Sequence, residues 1–139
     1  MKDIRSLFAD YAAYHQTPGN KVFHRVGIPL IMLTLIGMLT RAGVGHLNAA
    51  VALIAVAEIV YFMLEWRLAI AMLVVSVAFY FGGWAIPFWI NVALFILGWI
   101  FQFIGHSVYE HKSPAFLTNF LHLLVGPLWI LNDVVPVVR

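Results

Sequence analysis

The sequence predicts an all-α integral membrane protein, a single-domain bundle of four to five apolar helices preceded by an N-terminal amphipathic helix. Hydrophobic residues make up 63% of the 139 positions and charged residues 10%, whereas soluble domains run nearer half apolar and a quarter charged. The 42 residues from Leu68 to Tyr109 contain no Asp, Glu, Lys or Arg. One bilayer crossing takes about 20 apolar residues, so that run alone has room for two. The first 25 residues are polar and lack an apolar signal core, so the chain is expected to enter the membrane through its own internal spans.

The amphipathic helix comes first. Ile4, Leu7, Phe8 and Tyr11 recur at helical spacing, which puts them on one face. Asp3 is placed to cap this helix, and Thr17, Pro18 and Gly19 are expected to end it. His15 continues the stripe four residues past Tyr11. Residues 1–25 therefore read as a surface helix and a polar turn, and 26–139 as the bundle. Apolar segments follow at about 26–40, 47–64, 68–81, 86–105 and 115–131. The sequences around Arg41, Glu65–Arg67, Gly82–Gly83 and Glu110–Lys112 separate them.

Charge then orients the bundle. If the first four segments cross, residues 1–25, the turn at 65–67 and the stretch 106–112 share one face. That face collects Lys2, Arg5, Lys21, Arg25, Arg67 and Lys112, six positive residues against Arg41 and, if the fifth segment also crosses, Arg139 opposite. The excess predicts a cytoplasmic N-terminus, in a bacterial inner membrane or, for a eukaryotic chain, the endoplasmic reticulum. His15, His24 and His106 then lie on one side. A net charge of +2 without a basic patch points away from nucleic acid. The absence of cysteine excludes disulfides, thiolate ligands and cysteine nucleophiles.

Gly98, Gln102, His106 and Glu110 follow at four-residue steps and stack along one helix side, with Asn91 close to the same stripe. A polar seam in a segment of Trp, Phe, Ile and Leu is expected to face a bundle interior. With the break at Pro18–Gly19, His15 and His24 can fold back towards His106. Three imidazoles and a nearby carboxylate suit Fe, Zn, Cu or Ni by ligand type. Asn20 and Gln102 are candidates to fix the imidazole tautomers. Glu110 is a candidate fourth ligand or a group behind the ligands. His46 is expected to be solvated on the far side, His111 to face away from His106, and His122 and Glu58 to serve structure.

Two stretches carry a resemblance. "YHQTPGNKVFH" presents His15, Asn20 and His24, and "GWIFQFIGHSVYEHKSPAFLTNFL" presents Gln102, Gly105, His106, Glu110, Pro114, Ala115 and Asn119. Together they resemble the hallmark motifs of a family of small membrane 2-hydroxy fatty acid dioxygenases. Its members include the fungal endoplasmic-reticulum enzyme of phytosphingosine breakdown and bacterial relatives. The resemblance implies an Fe(II)-dependent enzyme that uses O2 to remove one carbon from a 2-hydroxy fatty acid. It further implies that Lys21, Arg25 or Lys112 pairs the substrate carboxylate while the acyl chain runs into the lipid bilayer. His111 and His122 depart from the pattern, where a basic residue and Gln are expected. Two other readings remain on sequence grounds: a haem-binding redox bundle, and a non-enzymatic membrane protein that binds lipid or metal.

Overall fold

A computed structural model describes residues 3–13, 18–109 and 121–138. The described chain is an all-α bundle of six helices with one short hairpin. Helix α1 (Ile4–Ala12) is capped by Asp3, whose Oδ1 accepts from the Ser6 amide at 2.9 Å. It buries Ile4, Leu7, Phe8 and Tyr11 against α3, α4 and α6, where Tyr61, Leu68, Met72, Val125 and Leu128 complete one core cluster.

Helix α2 (Pro18–Leu39) starts eight residues ahead of the expected segment at 26. Pro18 and Gly19 thus open the helix instead of forming a free turn. Proline suits a first helical position, because its missing N–H would have no intrahelical partner there. The early start carries Asn20, Lys21, His24 and Arg25 into a long helix. After α2, β1 (Gly43–Val44) and β2 (Leu47–Asn48) form a small antiparallel hairpin. Gly43 and Gly45 hold the positive φ values, 143° and 57°, that it requires.

Helix α3 (Ala49–Leu64) and α4 (Trp66–Ala85) are joined through Glu65 alone. Gly82 and Gly83, expected to separate two segments, lie inside α4. Their role is packing: a Cβ at Gly83 would come 2.6 Å from the Gly37 Cα, so the glycine lets α4 and α2 touch backbone to backbone. The break falls instead at Ile86 and Pro87, before α5 (Phe88–Ile104). That helix widens into a π turn over Gly105–Tyr109. Helix α6 (Leu121–Val134) closes the bundle and is tied to α3 by Tyr61, which donates to the Leu124 carbonyl at 2.7 Å.

Three helices, Pro18–Leu39, Trp66–Ala85 and Phe88–Ser107, are long and apolar enough to cross a membrane. Val56, Ile59, Met63, Val74, Phe81, Trp89, Ile96 and Ile100 lie exposed on α3, α4 and α5. So large an apolar surface suits hydrocarbon rather than water.

Candidate metal centre

The site is built where α2 and α5 run antiparallel. Asn20, His24, Gly27, Ile31 and Thr34 are all buried and recur at three- and four-residue steps on one face of α2. On α5 the buried positions are Asn91, Gly98 and Gln102. Glycines bring the two faces together: a Cβ at Gly27 would overlap the Gln102 amide, and one at Gly98 would lie 2.7 Å from Ile31. The polar seam thus faces α2.

His24 is 1% exposed and both of its ring nitrogens are engaged. Gln102 donates from Nε2 to the Phe23 carbonyl at 3.4 Å. That bond turns its Oε1 to His24, where it accepts from Nδ1–H at 2.9 Å. The neutral imidazole therefore carries its lone pair on Nε2, which accepts from the Tyr11 hydroxyl at 2.7 Å. Burial pushes the Tyr11 phenol above its ordinary value of 10.0, so the hydroxyl stays a donor. Trp129 of α6 covers the pair, its ring centroid 5.2 Å from that of Tyr11 and 5.7 Å from that of His24.

His106 sits on the π turn, 3% exposed, with its ring centroid 6.4 Å from that of His24 and nearly perpendicular to it. Such widened turns occur often at functional sites. Gly105 brings this turn onto α2, because a Cβ there would overlap the Asn20 side chain. Asn20, His24, Gln102 and His106 are thereby assembled at one end of the bundle. His15, Glu110, His111, Lys112 and Asn119 lie outside the described residues.

Two other expected residues carry less. Arg25 is half exposed and donates to Asp133 of α6 at 3.2 Å, so a substrate carboxylate would compete with Asp133 for it. Lys21 is partly buried beside Asn20. Asn91 is buried at the other end, where its amide donates to the Gly83 carbonyl at 3.1 Å and finishes α4. His46 is exposed, as expected, and in addition its Nδ1 lies 2.6 Å from the Tyr80 hydroxyl and its ring packs on Trp84. The hairpin turns the ring back onto α4, an arrangement that linear spacing does not register.

Tyr11 and Trp129 were missed as parts of the site. In the sequence Tyr11 reads as part of an apolar stripe, and the signal is its hydroxyl within that stripe.

No group of three or more His, Cys, Asp or Glu side chains gathers as a metal site among the described residues. The donors nevertheless fit a divalent metal in kind. They are buried imidazoles, one with its tautomer held by a carbonyl oxygen, the usual support behind a metal-ligating histidine. With metal–nitrogen bonds of about 2.1 Å, two imidazoles on one ion place their centroids roughly 5 Å apart. The observed 6.4 Å leaves a closure of about 1.4 Å between the two rings.

Comparison with known proteins assigns the chain. The family described as "2-hydroxy-palmitic acid dioxygenase Mpo1-like" matches residues 1–136. The "2-hydroxy-palmitic acid dioxygenase MPO1" of Saccharomyces cerevisiae is 29% identical over 137 residues, covering 94% of this chain and 79% of the yeast protein. No solved structure matches. The family match runs over nearly the whole chain, and the protein belongs to this family.

Proposed function

With that membership as premise, we propose that the protein is an Fe(II)-dependent dioxygenase that shortens 2-hydroxy fatty acids by one carbon on the cytoplasmic membrane face. The observation that carries the reading is the buried His24, its Nδ1–H held by Gln102, with His106 beside it on the π turn. His24 and His106, with His15 from the N-terminal motif, are the residues that would hold the iron. Bound there, iron supplies O2 activation and a chelating point for the substrate's carboxylate and 2-hydroxyl. The overall balance is a 2-hydroxy acid plus O2 giving the shorter acid, CO2 and water. The substrate supplies all the electrons, so no separate reductant is needed.

The protein's own contribution is orientation and exclusion of water. Gln102 fixes the tautomer of the imidazole and leaves Nε2 to face Tyr11. Burial beneath Trp129 keeps the ring dry, which strengthens every polar contact at the site. Asn20 holds the π turn in place through its contact with Gly105. Lys21 would pair the substrate carboxylate, with Lys112 a further candidate from the sequence motif, and Arg25 would join where the carboxylate displaces Asp133. The acyl chain extends between helices into the bilayer.

The test is incubation of protein loaded anaerobically with Fe(II) with 2-hydroxypalmitate and O2, followed by mass spectrometry. We expect the fatty acid one carbon shorter, dependent on iron. His106→Ala should abolish it while circular dichroism stays that of the wild type. Full turnover in that variant, or no product from protein shown to hold iron, sinks the reading.

A further inference from the structure

Tyr11 occupies the direction that a metal on His24 would need. Its hydroxyl oxygen lies 2.7 Å from Nε2, on the nitrogen that the Gln102 bond leaves with a lone pair. A metal bound to that nitrogen sits at about 2.1 Å, so the two positions overlap and one must yield. The bond to Gln102 is on the other nitrogen and is untouched by the exchange. Tyr11 is also hemmed in. A Cβ at Gly126 would come 2.7 Å from its hydroxyl oxygen, and Trp129 packs on its ring. Its withdrawal is therefore felt by α1 and α6, which share the core around Leu7, Val125 and Leu128.

We propose that Tyr11 is the exchangeable partner of His24: its hydroxyl holds Nε2, and a divalent metal displaces it. Tyr11 thereby sets the metal affinity of the site and couples the seat of α1 to metal binding. No proton changes hands, since the phenol leaves as a phenol and the imidazole stays neutral. The proposal rests on the reading of His24 as a metal ligand.

Titration of the purified full-length protein with Co(II), followed by visible absorption at one pH, tests it. Tyr11→Phe should bind Co(II) about fivefold more tightly, the equivalent of one neutral hydrogen bond of ~1 kcal/mol. Chelator-treated Tyr11→Phe should also melt below the chelator-treated wild type, while the Co(II)-saturated proteins melt together. A tyrosine with only a structural role would lower both melts equally and leave the affinity unchanged. That result, or weaker Co(II) binding, overturns the proposal. Tyr11→Met keeps the test available if the phenylalanine variant does not fold. Co(II) tightening without turnover of 2-hydroxypalmitate by the iron-loaded wild type would discard the dioxygenase reading and leave this one standing. Turnover with unmoved Co(II) affinity would do the reverse. A wild type that binds no Co(II) would overturn both.

Discussion

At one end of the bundle Tyr11 donates to His24 over 2.7 Å, and at the other Tyr80 and His46 lie 2.6 Å apart. By length the two pairs are nearly the same, yet their settings differ. His24 is enclosed by residues from α1, α2, α5 and α6, and both of its nitrogens are held. His46 stands on an exposed hairpin, and its partner Tyr80 also accepts from the Asn48 amide at 2.8 Å. Asn48 in turn caps α3, and Arg41 donates to the Trp84 and Ile86 carbonyls at the end of α4. The far pair therefore pins a turn to a helix end, whereas the near pair fixes a tautomer in a dry site. Hydrogen-bond length does not separate the two roles. Enclosure and the second partner do.

Removing each histidine sharpens that contrast most. His24→Ala strands a buried hydroxyl and a buried amide and opens a cavity, so we expect a loss of about 3–5 kcal/mol. Turnover of 2-hydroxypalmitate should vanish with it. His46→Ala should cost no more than ~1 kcal/mol, the worth of one part-exposed hydrogen bond, and leave turnover intact. Thermal unfolding in detergent and the mass-spectrometric assay read both variants. Equal losses of stability would break the distinction drawn between the two ends.

The partners come next. Gln102→Leu leaves the His24 Nδ1–H without its acceptor, which should cost about 1–3 kcal/mol. It should also lower metal affinity or activity by roughly 10- to 100-fold, as losses behind a metal ligand do. Tyr80→Phe should lower the unfolding temperature only, with kcat and metal affinity unchanged. Activity loss in Tyr80→Phe would show that the two ends communicate.

The smallest effect concerns the turn between α3 and α4. The Arg67 guanidinium bonded to Glu65 at 2.8 Å holds that carboxyl below its ordinary value of 4.5. A lowered folded-state value means stability that is present above the unfolded value and lost as pH falls through the folded one. Unfolding of the wild type should therefore steepen slightly below about pH 4.5, and Arg67→Ala should flatten that limb. Arg67 is half exposed while Glu65 is partly buried, and with one partner in solvent the change should be small.

Much of the near end was legible in the sequence. The four-residue step from Gly98 to Gln102 places them on one side of α5, because a helix repeats by itself and needs no partner to do so. The apolar face of α1 and its Asp3 cap are read the same way. Boundaries were harder: Gly82 and Gly83 look like a break, and only contact with Gly37 reveals them as a crossing point. The π turn at Gly105–Tyr109 also leaves no mark in spacing, since it departs from the period that spacing assumes.

Composition and periodicity by themselves determined that this is a helical membrane protein and which polar residues its longest apolar run turns inward, while the family resemblance rests on the two motif stretches at 14–24 and 98–121. These are properties of single helices and local motifs. What Tyr11, Trp129 and His46 touch was decided only by the tertiary structure. Thirteen residues separate Tyr11 from His24, and 34 separate His46 from Tyr80. No periodicity spans such gaps: the contacts arise from how separate helices cross, which the packing of glycines and large side chains sets for the whole bundle at once.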